Sequence, residues 1–205
     1  MIINLRGTGG SGKSYTVHRL LEQYAPVTTL SCGKVENKDL IVNCVYINLV
    51  PLYVVGSYTQ TCGGCDTIPT QDWMCSLVRY WSQFGNVLFE GLLMSHLFAR
   101  YKALCGELTS YGERYIWAFL DTPIEVCIER TKQRRLVRSD DREFDPQNTV
   151  KKYNDILRVI PKTRACGFDV RMIDHTKDTI EQILAILREE TRFKFETSYR
   201  EESFR

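Results

Sequence analysis

Apolar positions fall along the chain in short runs separated by longer amphipathic stretches, and the alternation predicts strand, helix, strand. Ile2, Ile3 and Leu5 make the first run, and after a glycine-rich turn Val17, Leu20 and Leu21 follow at helical spacing. Pro26 breaks that helix. Val27 to Leu49 then reads as strand-like pieces around the polar turn from Gly33 to Asp39, with Leu40 to Ile47 able to pair back as a hairpin. Leu52-Tyr53-Val54-Val55, closed by Gly56, is expected to be the second parallel strand. Thr67 to Phe84 has helical spacing, with Trp73, Leu77, Tyr80 and Trp81 expected to cover a core face. Further strands are expected at Asn86 to Glu90, Tyr115 to Leu120 and Asp169 to Asp174. Helices are expected over Leu92 to Leu104, Ile124 to Arg135 and Asn148 to Ile160, the last broken by Pro161. Ile180, Ile183, Leu184 and Leu187 form the stripe of a closing helix. Such repetition predicts an α/β protein of three layers, with helices on both faces of a mainly parallel sheet. A single domain over residues 1–190 and a polar tail over 191–205 are expected.

The first turn carries the most specific chemistry. Gly7-Thr8-Gly9-Gly10-Ser11-Gly12-Lys13-Ser14 fits the phosphate-binding pattern G-x-x-x-x-G-K-[ST] without a mismatch. The glycines allow successive amides to point inward at phosphate oxygens, and the helix that follows places its positive end at the same spot. Lys13 is expected on the β and γ phosphates and Ser14 on Mg²⁺.

Composition narrows the setting. With 43% hydrophobic residues, 205 positions suffice for one packed domain, and a formal net charge of +2 leaves any nucleic-acid contact to a local patch. No apolar run approaches the ~20 residues of a membrane span, and no signal peptide precedes the first strand, so a cytoplasmic protein is expected. The eight cysteines are scattered, which favours reduced thiols. Cys62 and Cys65 bracket two glycines, but no second cysteine or histidine pair completes a zinc set, so a tight turn with two small thiols is expected.

Ligands of an open α/β sheet bind beyond the carboxyl ends of its strands, which makes the loop from Ser57 to Ile68 the expected home of a phosphate acceptor. Tyr58 and Gln60 there could stack on the acceptor or read its edge. Asp66 is the candidate base for an attacking hydroxyl, against the alternative of a helix cap. Val87-Leu88-Phe89-Glu90 is an apolar strand ending in a carboxylate, expected to hold Mg²⁺ or its water together with Ser14. Ser95, His96 and Arg100 follow on polar positions that could face the acceptor or water. Asp121 or Thr122 is expected to cap a helix begun by Pro123. Arg130, Arg134 and Arg138 lie in a basic stretch, about 130–147, expected to form a lid over the transferring phosphoryl group.

Taken together, the phosphate loop, Phe89-Glu90-Gly91, the segment Leu120-Asp121-Thr122-Pro123-Ile124-Glu125-Val126-Cys127 and the arginine-rich stretch resemble P-loop kinases of the thymidylate kinase-like group. Gly56-Ser57-Tyr58, Cys62-Gly63-Gly64-Cys65-Asp66-Thr67-Ile68 and Leu88-Phe89-Glu90-Gly91-Leu92-Leu93 resemble more closely the bacteriophage 5-hydroxymethyluracil DNA kinases. That resemblance implies ATP and Mg²⁺ as donor and cofactor, DNA carrying 5-hydroxymethyluracil as acceptor, and a step in thymidine hypermodification that shields a viral genome from restriction. Gly91-Leu92 stands where thymidylate kinases have an Asp-Arg pair gripping the acceptor's phosphate, a departure that suits an internal base with no terminal phosphate. A kinase of a free deoxynucleotide or other small hydroxyl metabolite, and a nucleotide-dependent switch module, are the alternatives. ATP against GTP and the oligomeric state stay open.

Overall fold

A computed structural model describes residues 1–59, 63–137 and 144–189. Its centre is β1 (Ile2–Arg6), flanked by β5 (Asn86–Glu90) and β6 (Tyr115–Asp121), with β4 (Val50–Val55) and β7 (Asp169–Asp174) outside them, all five strands parallel. All five carboxyl ends therefore meet on one edge. β2 (Thr28–Val35) and β3 (Lys38–Ile47) extend the sheet antiparallel beyond β4, giving the order β2-β3-β4-β5-β1-β6-β7. The hairpin expected around the polar turn is present. Its two-residue tip, Glu36 and Asn37, lies in the left-handed region at φ 50 and 61, the geometry that matches strand twist.

Alternation along each strand sends successive side chains to opposite layers. Ile3 and Leu5 pack with Val17 and Leu20 of α1 (Lys13–Gln23) and with Ile183 and Leu184 of the helix over 179–189, here α7. Ile2 points the other way, with Val87, Phe89 and Trp117, toward α2 (Gln71–Ser82), α4 (Ala99–Ser110) and α6 (Gln147–Ala165). Two buried clusters on the two faces make the three layers. Every residue of the predicted closing stripe is buried. The lid lies partly outside the described residues, and the tail from 190 onward lies wholly outside them.

Three helix expectations need correction. α2 begins at Gln71 rather than Thr67, because Thr70 caps it by accepting the Trp73 amide at 3.2 Å, while Cys65–Thr67 forms a short 3₁₀ turn. Its buried stripe is Met74, Cys75, Leu77 and Val78, and Trp73 and Tyr80 are exposed rather than core. The stretch from Leu92 is two helices, α3 (Leu92–Ser95) and α4, separated by a turn at His96 to Phe98. α6 runs through Pro161, and the carbonyl that proline strands belongs to Leu157, a residue on the exposed side of the helix. The seven described cysteines are free thiols. No described helix is long and apolar enough to cross a membrane.

Candidate active site

The phosphate loop leaves β1 at Arg6 and enters α1 at Lys13. Its pose follows from close approaches that only glycine allows: a side chain on Gly10, at φ +81, would meet the Cys127 carbonyl at 2.2 Å. That carbonyl belongs to α5 (Ile124–Val137), which thus lies directly against the loop. Thr122 donates its hydroxyl to the Ser11 carbonyl at 2.9 Å and clamps the loop from the end of β6. Lys13 is buried and turns its ammonium back onto the carbonyls of Gly7 at 2.6 Å and Thr8 at 3.1 Å. Burial lowers its pKa, with the Glu90 charge opposing. The hydroxyls of Thr8 and Ser11 are buried with no hydrogen-bond partner among the described residues.

Glu90 ends β5 beside Leu5 of β1, which brings it under the loop. Its Oε1 accepts from the Ser14 hydroxyl at 2.9 Å and from Tyr58 Oη at 3.4 Å. Burial pushes the Glu90 carboxyl up to about 7, with the Lys13 ammonium and the Ser14 hydroxyl pulling the other way. Gly64, at φ +74, lies against this carboxylate so closely that a side chain there would reach Oε1 at 2.3 Å. The loop holding Gly64 is closed by its amide donating to the Ser57 carbonyl at 2.8 Å and by Thr67, whose hydroxyl donates to the Gly64 carbonyl at 2.7 Å.

Asp66 faces the same cleft. Its Oδ2 accepts from the Leu92 amide at 2.8 Å and its Oδ1 from the Leu93 amide at 3.1 Å, so it caps the start of α3 across the sheet edge. The cap role was anticipated as an alternative, but for the helix that follows Asp66 in sequence. Thr8, Gly9, Gly10, Gly12, Lys13, Ser14, Asp66, Glu90, Arg130 and Arg134 line one cleft of about 250 Å³. Arg130 also reaches toward the Gly10 carbonyl at 3.5 Å. Tyr58 is apart from this open surface: it is buried, its ring edge-on to His18 at 5.5 Å and its hydroxyl on Glu90. Gln60 and Arg138 lie outside the described residues. Cys65 is buried with its thiol on the Val55 carbonyl, and burial raises its pKa well above the ordinary value.

Other residues at this edge had only weak sequence signals. A second cleft of about 260 Å³ adjoins the first, with Gly12, Tyr15 and Arg130 lining both and His175, Asp178 and Thr179 closing the far side. Its one local signal was position, just past the carboxyl end of the last strand. Ser95 is buried rather than facing acceptor or water, accepting from the Gly7 amide at 3.3 Å and donating to the Gly91 carbonyl at 2.5 Å. Arg100 pairs with Asp72.

A phosphate-loop lysine and two carboxylates gathered around one polar cleft, at the carboxyl edge of a parallel sheet, are the equipment of a phosphotransferase. No protein-family model matches the chain. It is 36% identical over 171 residues to the 5-hmdU DNA kinase of Pseudomonas phage PaMx11, covering 82% of this chain and 88% of that protein. It is 30% identical over 193 residues to the 5-hmdU DNA kinase of Pseudomonas phage M6, covering 90% and 96%. The 5-hmdU DNA kinase of Delftia phage PhiW-14 is 24% identical over 179 residues, 81% of this chain and 65% of the relative. The chain belongs to the phage 5-hmdU DNA kinase family.

Proposed function

We propose that this enzyme transfers the γ-phosphate of ATP to the hydroxymethyl group of 5-hydroxymethyluracil within DNA, with Mg²⁺ as cofactor. The observation that carries this is the juxtaposition of Lys13, Glu90 and Asp66 around one cleft, in a chain whose relatives are named for that reaction. The unpartnered hydroxyls of Thr8 and Ser11, and a lysine reduced to bonding its own loop, suit phosphate oxygens. Ser14 and Glu90, already 2.9 Å apart, are the oxygen donors a small hard cation takes, directly or through water. When bound, that cation would supply charge neutralisation on the phosphates.

The chain's own groups divide the remaining work. Lys13 leaves the carbonyls of Gly7 and Thr8 to bind the phosphate chain. Tyr58 and Gly64 hold Glu90 in place from either side. Asp66, steadied by two amides, keeps lone pairs free toward the cleft and accepts the hydrogen bond of the attacking hydroxyl. Arg130 and Arg134 extend from α5 over the cleft and neutralise the transferring group, and the second cleft takes the nucleoside of the donor.

What favours DNA over a free nucleotide is a groove of about 400 Å³ on the acceptor side, between the β2–β3 tip and the acceptor loop, lined by Asn37, Lys38, Asp39, Ile41, Ser57, Thr59 and Thr67. Lys34 is paired with Asp39 at 3.7 Å, while Lys38 has no ion-pair partner among the described residues. With the Asp39 carboxylate of the groove offset by Lys34, the Lys38 ammonium among hydroxyls and an amide suits the sugar–phosphate of a flanking nucleotide, leaving sequence unread. Labelled ATP offered to DNA containing 5-hydroxymethyluracil, to unmodified DNA and to the free hydroxymethyl nucleotide tests the proposal. Label recovered on an internal modified base after digestion to nucleosides is expected, and label confined to the free nucleotide would refute the DNA acceptor.

A further inference from the structure

Arg6, the last residue of β1, is fully buried on the α4 face of the sheet, and no carboxylate pairs with it among the described residues. Burial lowers its pKa to about 10, which still leaves it charged at neutral pH. Its charge is met by weaker partners. Nε donates to Asn4 Oδ1 at 3.2 Å, and Nη1 donates to the carbonyls of Ser95 at 3.0 Å and Leu97 at 3.1 Å. The guanidinium also lies over the rings of Trp117 at 4.1 Å and Tyr101 at 4.9 Å. Nη2 has no hydrogen-bond partner among the described residues. A buried cation without a counter-charge is costly, and an apolar side chain of the same length would fill the slot without that cost.

The carbonyls it holds belong to the last residue of α3, Ser95, and to Leu97 in the turn that follows. The hydroxyl of the same Ser95 bridges the first amide of the phosphate loop, Gly7, and the carbonyl of Gly91, next to Glu90. α3 in turn presents the two amides that hold Asp66. From these contacts we infer that Arg6 is a positioning residue that sets the acceptor side, α3 with Asp66, at working distance from the phosphate loop. It touches neither substrate. Donor binding depends on the loop itself, whereas alignment of the acceptor hydroxyl depends on the strut from Arg6 through Ser95 to α3. The inference rests on the phosphotransfer proposed above.

The test is Arg6→Met, with kcat for transfer to modified DNA and the affinity for a fluorescent ATP analogue measured side by side. Turnover is expected to fall about 100-fold, as a displacement near 1 Å of a reacting group does, with nucleotide affinity within about threefold. Arg6→Lys keeps the charge but has one nitrogen where Arg6 uses Nε on Asn4 and Nη1 on the two carbonyls, and lacks the planar face laid over Trp117, so it is expected to stay well below wild type. Equal losses in turnover and nucleotide affinity, undiminished turnover, or full restoration by lysine would each overturn the inference. Should Arg6→Met fail to fold, Ser95→Ala removes the hydroxyl bridge alone and must show the same split. Absence of label on modified DNA with the wild-type enzyme is a failure of the proposed acceptor, and the split is then read on the free hydroxymethyl nucleotide. Label on DNA with an unimpaired Arg6→Met variant is a failure of the inference.

Discussion

Glu90→Gln should make the nucleotide-free protein more stable at pH 8 while removing its activity. The carboxyl titrates near 7 in the fold against an ordinary 4.5, so the folded state holds this proton more tightly than the unfolded chain does. Folding is therefore favoured by protonation at this site. The contribution is fully present below about pH 4.5 and is lost as pH rises through 7. Integrating between those two pKa values, wild-type folding loses about 2.5 kcal/mol from this group between pH 5 and pH 8. Glutamine keeps the shape and can still accept from Ser14, but has no proton to lose. The stability difference between variant and wild type should thus open by about 2.5 kcal/mol over that range, roughly a 1 M shift in urea midpoint for a domain of this size. Urea unfolding of both proteins without nucleotide, at several pH values, measures it. A difference that stays flat with pH would refute the claim that burial in this fold raises the carboxyl. On the proposed role of Glu90 in holding Mg²⁺, the Mg²⁺ concentration that half-saturates wild-type activity should also fall as pH rises from 6 to 8, because the carboxylate form binds the cation.

Three further outcomes are expected. Lys13→Ala should remove nearly all transfer with the far-ultraviolet circular dichroism unchanged, and full activity would dismiss the loop as the donor site. Asp66→Asn should lower kcat for DNA by about 10²-fold or more while the ATP KM changes little, and a parallel loss in both would leave Asp66 only the α3 cap it already makes. Lys38→Gln should raise the KM for DNA and flatten the dependence of log KM on log salt by about 0.7, one single-strand phosphate contact, with the free nucleotide unaffected. An unchanged salt slope would remove the hairpin groove from the path of the strand.

β4, β5 and β6 were legible because each is a run of apolar residues bounded by glycine, proline or a charge, and burial on both faces demands such runs. Helix ends were less legible. Thr67 to Phe84 has continuous helical spacing, yet Thr70 supplies a better cap than any residue before it, and the chain between uses Asp66 for α3 instead. Trp73 and Tyr80 read as core because they are large, although the period that is buried begins one residue later, at Met74. Pro161 reads as a stop, but the carbonyl it strands belongs to the exposed Leu157 and the helix continues.

Much the same division runs through the site. The glycine-rich loop is contiguous, so its eight residues carry the whole phosphate-binding pattern without reference to the rest of the chain. Its pose is set by partners that no window contains: Ser14 meets Glu90 across 76 positions, Gly7 meets Ser95 across 88, and Ser11 meets Thr122 across 111. Each partner lies at or just beyond the end of a neighbouring strand, β5 or β6, because parallel strands deliver all their carboxyl ends to one edge. Serine and threonine at such places carry no distinctive pattern, and Arg6 reads as a charge interrupting an apolar strand. What gathers them is the register Leu5 to Glu90 and Arg6 to Phe119, which sets a buried carboxylate and a buried cation, on opposite faces of the sheet, at the strand ends where the glycine-rich loop begins. A loop of the same sequence on a sheet of different strand order would keep its amides and lysine but lose Glu90 and Asp66 as neighbours, and with them the groups proposed to hold the cation and to accept the hydrogen bond of the attacking hydroxyl.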